Sequence, residues 1–461
     1  MHRCAVLNVV GLTPRLLGEH TPRLLSFVNR QRLLHVEPVM PALTCSAQAT
    51  YFTGLPPGAH GAVANGWYDR PYAEHRFWKQ PESLVTGPRL WEELRHHQPN
   101  FTCAKVFWWF NMHSSADYTI TPRPLYPSDG SKVFDVHTQP MDMREAIKAD
   151  LGPFPFPQFW GPMAGIESSR WIAQSARWIE EQHRPTLSLV YLPHLDYNLQ
   201  RHGLDFGLIA QDLRDIDQLV GELIDFYEGR GISVILLSEY GITNVDRAVH
   251  LNRLFRQKRW LSIKDELGRE TLDQGGCRVF AIADHQIAHV YVRDSELLPQ
   301  VRALLEQTPG VEQVWDRADK VRQGLDHPRS GDLVAVADAR SWFTYYYWND
   351  DSKAPDFARC VDIHRKCGYD PVELFLEQGW RGSKRRIALK LLQKKLGQRT
   401  LMDVIPLDAS LVKGSHGRLP EQVEDWPLLV GGFAQHPNGQ RIAATEVYRI
   451  LLRACGGPSA A

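Results

Sequence analysis

The stretch that decides the fold reads Pro41-Ala-Leu-Thr44-Cys-Ser-Ala-Gln-Ala-Thr-Tyr-Phe-Thr53-Gly54-Leu-Pro-Pro-Gly-Ala-His60-Gly61. Thr44 stands at the start of a short predicted helix that ends at Gly54. The free amides of a helix N-terminus and its partial positive charge attract an anion, so the Thr44 hydroxyl and these amides would face one anion site. The alternative is that Thr44 only caps the helix.

Around this stretch, short apolar runs at residues 5–10, 104–109, 187–192 and 234–237 indicate buried strands. Such runs are typical of a parallel sheet covered on both faces. Between the last two, residues 209–227 repeat apolar side chains at helical spacing. Asp196 and Glu239 each follow one of these strands, and open α/β sheets place their sites at the carboxyl ends of strands. The sequence therefore predicts an α/β core with both carboxylates at its functional edge.

The pattern of predicted strands changes after about residue 250. Residues 277–283, 287–292 and 333–348 are predicted strands of a different, partly antiparallel sheet, with His285 and Gln286 at a hairpin corner. A basic helix is predicted over 384–395. We therefore expect a core formed by residues 1–254 and 400–461, interrupted by an inserted α+β cap subdomain at 255–399.

Composition excludes several classes of function. The 461 residues carry no formal net charge, so no overall field favours a nucleic acid polymer or an anionic membrane. No stretch is long and apolar enough to span a bilayer, and the first residues lack the pattern of a secretory signal. Seven scattered cysteines do not form a disulfide framework. We expect a cytoplasmic protein; nothing in the sequence determines an oligomeric state.

Four separated motifs carry a family resemblance. Thr44, Thr53-Gly54, Pro57 and His60-Gly61 are followed by Leu192-Pro-His-Leu-Asp196, Leu237-Ser-Glu239-Tyr240-Gly241 and Gly414-Ser-His416-Gly417. In type, spacing and order, the chain resembles the nucleotide pyrophosphatase/phosphodiesterase branch of the alkaline phosphatase superfamily. The resemblance implies an alkaline-phosphatase-like core with a mainly parallel sheet between helices. It also implies that Thr44 is the catalytic nucleophile and that the substrate is a small phosphate ester.

The resemblance implies metal ions as well, but the ligand set departs from the family's pattern. Asp196 and His416 match two ligands of one ion. Gln200 replaces a family His, Glu239 replaces an Asp and Tyr240 replaces the His beside it. Val10 stands where the first strand should end in Asp, and Val cannot bind a metal. We expect one or two divalent ions (Zn, Mn or Mg) held by Asp196, Gln200, Glu239, Tyr240 and His416. A single-ion site and no catalytic metal both remain open.

Other side chains are candidate supplements to the site. Asn8 lies on the same strand face as Val10, about 6.6 Å deeper. His194 shares a face with Asp196 if the strand continues, and Asp362 and His364 form a same-face pair if extended. Asp284-His285 and His289 flank the hairpin corner. The candidate substrate-binding residues, from their positions near the motifs, are Asn65, Trp67 and Asn111.

Three functions remain open at this stage. The first is hydrolysis of a phosphodiester, pyrophosphate or related phosphate ester through a phospho- or nucleotidyl-threonine intermediate. The second is phosphoryl or nucleotidyl transfer, or phosphonate hydrolysis, on the same fold. The third is noncatalytic ligand binding by a member with a degenerate metal site.

Overall fold

The computed structural model describes residues 2–129, 131–377, 380–398 and 400–457. Its strands are β1 Cys4–Val9, β2 Arg32–Glu37, β3 Gly66–Asp69, β4 Glu74–Phe77, β5 Cys103–Val106, β6 Tyr118–Pro122, β7 Val136–Gln139, β8 Leu187–Leu192, β9 Ser233–Leu237, β10 Thr243–Asn244, β11 Arg247–Val249, β12 Ile263–Glu266, β13 Arg269–Leu272, β14 Val279–Asp284, β15 Ile287–Val292, β16 Val311–Trp315, β17 Leu333–Ala337, β18 Ser341–Phe343, β19 Gly414–Ser415, β20 Leu428–Gly431 and β21 Arg441–Ala443.

The α-helices alternate with these strands along the chain. They are α1 Pro22–Asn29, α2 Thr44–Thr53, α3 Pro57–His60, α4 Leu90–His97, α5 Met143–Leu151, α6 Ile166–His183, α7 His194–His202, α8 Phe206–Glu228, α9 Leu251–Gln257, α10 Leu298–Glu306, α11 Arg317–Arg322, α12 Trp380–Lys395 and α13 Ala444–Ala454.

A nine-stranded sheet forms the centre of the molecule, in the order β21-β2-β20-β9-β1-β8-β5-β6-β7. Its middle, from β9 to β6, is parallel throughout, whereas β20 and β7 run antiparallel to their neighbours. Strands β1 and β8 are buried along their whole length, as expected of a sheet covered on both faces. The predicted α/β class with a mainly parallel sheet is confirmed.

The three strands that carry the site end at one edge. In the parallel register Val9 lies opposite Leu192, and Asn8 lies opposite Leu237. Glu239 and Asp196 follow β9 and β8 by two and four residues. Both carboxyl groups therefore start from the same end of the sheet as β1, on its two sides.

A second sheet of four antiparallel strands, in the order β14-β15-β17-β16, lies within the predicted insertion. The hairpin corner falls at His285, whose φ is +59°. The hydrophobic core under this sheet also includes Val245, Leu251 and Val404, which lie outside 255–399. The division into core and cap stays a prediction.

Two predicted strands end earlier than expected. The strand predicted at 104–109 stops at Val106, because Phe107 takes a φ of +61° and the backbone turns. The single strand predicted at 333–348 is wrong. Strand β17 belongs to the second sheet, whereas β18 pairs in parallel with β11 and is followed by irregular, buried chain.

Among the described residues, we find no helix with both the length and the apolar character of a membrane span. The seven cysteines are all buried and free, in agreement with the absence of a disulfide framework.

Candidate functional site

Helix α2 begins at Thr44 and presents its N-terminus to the site. The preceding residue, Leu43, is extended and supplies the N-cap position without a side-chain cap. Thr44 is therefore the first helical residue, and the alternative that it only caps the helix is wrong. The helix stops at Gly54, where the φ of +71° favours glycine.

A hydrogen-bonded chain leads from Thr44 into the site. The Thr44 hydroxyl lies 3.3 Å from the phenol oxygen of Tyr240, which donates to Asp196 Oδ1 at 3.1 Å. A phenol has one proton, and Tyr240 gives its proton to Asp196. When Asp196 is ionised, Thr44 is therefore the donor to Tyr240, and all three groups are polarised in the same direction.

Helix α7 arranges the next two side chains. Asp196 and Gln200 are four residues apart, so they share a helix face. The Gln200 amide donates to Asp196 Oδ2 at 2.7 Å, and its carbonyl accepts from the Tyr369 hydroxyl at 3.0 Å. Asp196 thus receives a donor on each oxygen.

Glu239 lies on the other side of β1 and is fully buried. Its Oε1 accepts from the side-chain amide of Asn8 at 2.5 Å and also from the amide of Gln48. Asn8 reaches Glu239 because the parallel register sets Asn8 beside Leu237. Gln48 is one helical turn after Thr44, and its carbonyl accepts from the Trp109 amide at 2.6 Å. Glu239 Oε2 has no hydrogen-bond partner.

Four rings form a row that begins at Tyr240, with two stacked pairs and one tilted pair. Tyr240 and His416 are parallel within 5° at 3.5 Å, His416 and His285 lie 3.8 Å apart, and His285 stacks on Tyr369 at 3.7 Å. The Nδ1 atom of His416 donates to the Ala42 carbonyl at 2.8 Å. Thr44, which contacts the Tyr240 end of this row of rings, is only 3% exposed.

The buried carboxyl groups hold their protons more tightly than usual. Burial raises the pKa of Asp196 to about 7, against the opposing effect of the hydrogen bonds from Tyr240 and Gln200. Burial likewise raises the pKa of Glu239 to about 8 and that of Asp284 to about 7. The pKa of His416 is far below its usual value, because burial and the neighbouring His285 disfavour the imidazolium. Near neutral pH the site therefore carries little net charge.

The donor chemistry does not fit a pair of metal ions. A metal site needs lone pairs that converge on one point, and catalytic zinc has three protein ligands. Here Gln200 and Tyr240, both at predicted ligand positions, direct N–H and O–H groups at Asp196. Within the described residues, no group of three or more His, Cys, Asp or Glu could hold an ion.

Some predicted residues lie outside this constellation. His194 is on helix α7 rather than on a strand, so it does not share a face with Asp196; its Nε2 lies 3.3 Å from Asp212. The prediction that Asp362 and His364 share a face of extended chain is wrong, because Asp362 precedes a turn and His364 lies in it. His364 Nδ1 bonds the Phe77 carbonyl at 3.2 Å.

The three candidate substrate-binding residues have different environments. Asn65 adjoins the site: its Oδ1 accepts from the Cys45 amide of α2 at 3.0 Å and its amide donates to Asp284. Trp67 is buried under the guanidinium of Arg329, 4.6 Å from the ring centre. Asn111 is buried and donates to the Lys105 and Ile120 carbonyls, which indicates a structural role.

Sequence reasoning missed Gln48 and Tyr369, and offered His285 only as one of several candidate supplements to the site. Gln48 follows Thr44 by one helical turn, so helical spacing was a usable signal for it. Tyr369 and His285 come from distant parts of the chain, and no local pattern points to them.

Comparison with known proteins agrees with this fold. The family model of type I phosphodiesterase/nucleotide pyrophosphatase matches residues 4–370. An uncharacterized pyrophosphatase/phosphodiesterase of Schizosaccharomyces pombe is 26% identical over 249 residues, 51% of this chain; the match spans 44% of the yeast protein.

Among solved structures, murine ectonucleotide pyrophosphatase/phosphodiesterase 5 superposes with a TM-score of 0.60 at 14% identity, covering 100% of this chain and 96% of that one. An inactive threonine-to-alanine variant of the murine protein has been solved with AMP. Phosphonoacetate hydrolase of Sinorhizobium meliloti, with phosphonoformate, gives a TM-score of 0.60 at 14% identity over 99% and 96%. These likenesses show a shared fold. The family model covers most of the chain, and the chain therefore belongs to the type I phosphodiesterase/nucleotide pyrophosphatase family.

Proposed function

We propose that the chain hydrolyses a small phosphodiester, pyrophosphate or related phosphate ester, with Thr44 as the nucleophile. The observation that carries the proposal is the hydrogen-bonded chain that joins the Thr44 hydroxyl through the Tyr240 phenol to Asp196. A threonine hydroxyl is a weak nucleophile unless a neighbouring base takes its proton. Asp196, at the end of this chain of donors, is that base.

In the proposed reaction, Thr44 Oγ1 attacks phosphorus and its proton moves to the Tyr240 oxygen, while the Tyr240 proton moves to Asp196. The bond from phosphorus to the leaving oxygen breaks, and that oxygen takes up a proton from solvent. Water then cleaves the phospho-threonine or its ester and restores the hydroxyl, and Asp196 releases its proton to solvent. A base with a pKa of about 7, as Asp196 has, is suited to neutral pH. The N-terminus of α2 stabilises the anionic phosphoryl group.

The ligands of the structural neighbours suggest probes for the substrate. One neighbour was solved with AMP and another with phosphonoacetate. Both are small anions that the N-terminus of α2 would attract. Phosphonate hydrolysis and transfer to an alcohol remain alternatives on the same fold. Product analysis with glycerol present distinguishes transfer from hydrolysis.

The test is turnover of bis(p-nitrophenyl) phosphate by the wild type and by Thr44→Ala. We expect the substitution to lower kcat by about 100-fold or more. Thr53→Ala is the matched control, because Thr53 lies on the same helix and its hydroxyl donates to the Ala49 carbonyl. Equal rates for the wild type and Thr44→Ala would refute the assignment of Thr44 as the nucleophile.

A second candidate is a noncatalytic member that binds a phosphate ligand. The burial of Thr44 and the unsuitable metal donor set favour it. This candidate predicts saturable binding of AMP by calorimetry with no product formed after prolonged incubation. Product formation that requires Thr44 would exclude it.

A further inference from the structure

The positions where this chain departs from its family place hydrogen-bond donors around one carboxylate. Gln200 and Tyr240 occupy two positions where the sequence motifs predict histidine ligands. Each donates to a different oxygen of Asp196, at 2.7 and 3.1 Å. The Gln200 orientation is fixed from its other end, because its carbonyl accepts from Tyr369.

The second carboxyl group also has two side-chain donors, but both reach the same oxygen, and its Oε2 has no partner among the described residues. Glu239 Oε1 accepts from the side-chain amides of Asn8 and Gln48. Val10, at the end of the first strand, is completely buried and offers no ligand atom. Both carboxyl groups are thus held by two protein donors each.

These donors have the polarity opposite to that of metal ligands. A ligand atom directs a lone pair at the cation, whereas an N–H or O–H group directs a partial positive charge at the carboxylate. A buried carboxyl group without a cation or donors would be strongly destabilising. The side chains of Gln200, Tyr240, Asn8 and Gln48 therefore supply what an ion would otherwise supply.

Few ligand atoms remain free to bind an ion. His416 Nε2 has no hydrogen-bond partner and lies 3.9 Å from Asp196 Oδ1. These two groups make a two-ligand set, one fewer than a catalytic zinc site uses. His285 Nε2 and Glu239 Oε2 are also unpartnered, but within the part of the chain that the structure describes they complete no group of three or more that could hold an ion.

We infer that side-chain hydrogen-bond donors replace the family's ion pair in this chain, so that the folded protein retains neither ion. The inference concerns metal retention and does not depend on turnover. Its failure and the failure of the proposed hydrolysis are therefore separate results.

The first test uses the wild-type protein alone, produced in zinc-supplemented medium and desalted. We expect only trace zinc, manganese and magnesium by mass spectrometry, and a melting temperature unchanged by EDTA. Retention of about one or two ions per chain, or a lower melting temperature in EDTA, would overturn the inference, because a bound ion stabilises the native state.

The second test restores ligands with the double variant Gln200→His/Tyr240→His, which removes both donors to Asp196. We expect it to retain about one zinc ion per chain, held with Asp196 and His416. The matched control is Gln211→His, an exposed position on α8 that should leave zinc content unchanged. A folded double variant that holds no more zinc than this control would show that these side chains are not the cause. If the double variant does not fold, the wild-type measurement still decides.

Discussion

Lys366 provides the sharpest test of how the segment that carries Tyr369 is held in place. Its ammonium group is buried and lies 2.7 Å from Asp370 and 2.6 Å from Glu373, with all three side chains no more than 2% exposed. Burial alone would lower the pKa of Lys366, but the two carboxylates outweigh it and raise that pKa. Lys366→Met keeps the bulk and removes the charge, leaving two buried carboxylates without a cation. We expect a loss of about 4 kcal/mol in the free energy of unfolding at pH 7.

The assay is urea unfolding followed by tryptophan fluorescence at several pH values. The loss should shrink as the pH falls toward 4, because the variant's unpaired carboxyl groups then take up protons and their burial costs less. Lys353→Met at an exposed position is the control and should change stability by less than about 0.5 kcal/mol. A loss below about 1 kcal/mol for Lys366→Met, or one independent of pH, would refute the reasoning.

Three further predictions concern the site and its frame. Tyr240→Phe breaks the proton path, so kcat should fall about 100-fold with little change in KM, measured with the diester assay. Burial raises the pKa of Asp284 to about 7; native stability should therefore decrease as pH rises from about 4 to 7, and Asp284→Asn should remove that part of the urea-unfolding profile. Gly241→Ala would set its Cβ 1.8 Å from the Asp425 carbonyl, so its melting temperature should drop well below that of Gly18→Ala, which has open space.

The parts of the fold that the sequence predicted well have a regular pattern of burial: β8 is buried along its whole length and α8 is buried along one face. The strand predicted at 187–192 coincides with β8, and the helix predicted at 209–227 lies inside α8. Burial on both faces of a strand leaves a continuous apolar run, and burial of one helix face leaves a clear helical period. The run at 333–348 was misleading because aromatic content reports burial and not chain direction. Asp338 was the missed signal, since its side chain accepts from the Arg340 amide and turns the chain between β17 and β18.

The site could be predicted only as far as its motifs reach. Asp196, Glu239, Tyr240 and His416 lie around Thr44 because strand ends and a helix start are local features. His285 and Tyr369 arrive from the hairpin corner and from a bridge between Ala283 and Gly368. Long-range packing of this kind leaves no periodic pattern in the sequence, so the positions of these two rings in the site could not be predicted.

The pattern of departures argues for a rebuilt site instead of random loss. Loss of ligands without constraint would favour apolar or small side chains, yet Gln200 and Tyr240 each donate to a separate oxygen of Asp196. Protein stability alone accounts for that pairing, because a buried carboxyl group must be satisfied. It does not account for the Thr44 hydroxyl, which a valine could replace in shape without leaving a carboxyl group unpaired. Phosphoryl transfer needs a hydroxyl that is linked to a base, and Thr44 is linked through Tyr240 to Asp196, whose pKa is raised. Thr44 is therefore the residue that distinguishes the catalytic explanation of the site from the structural one.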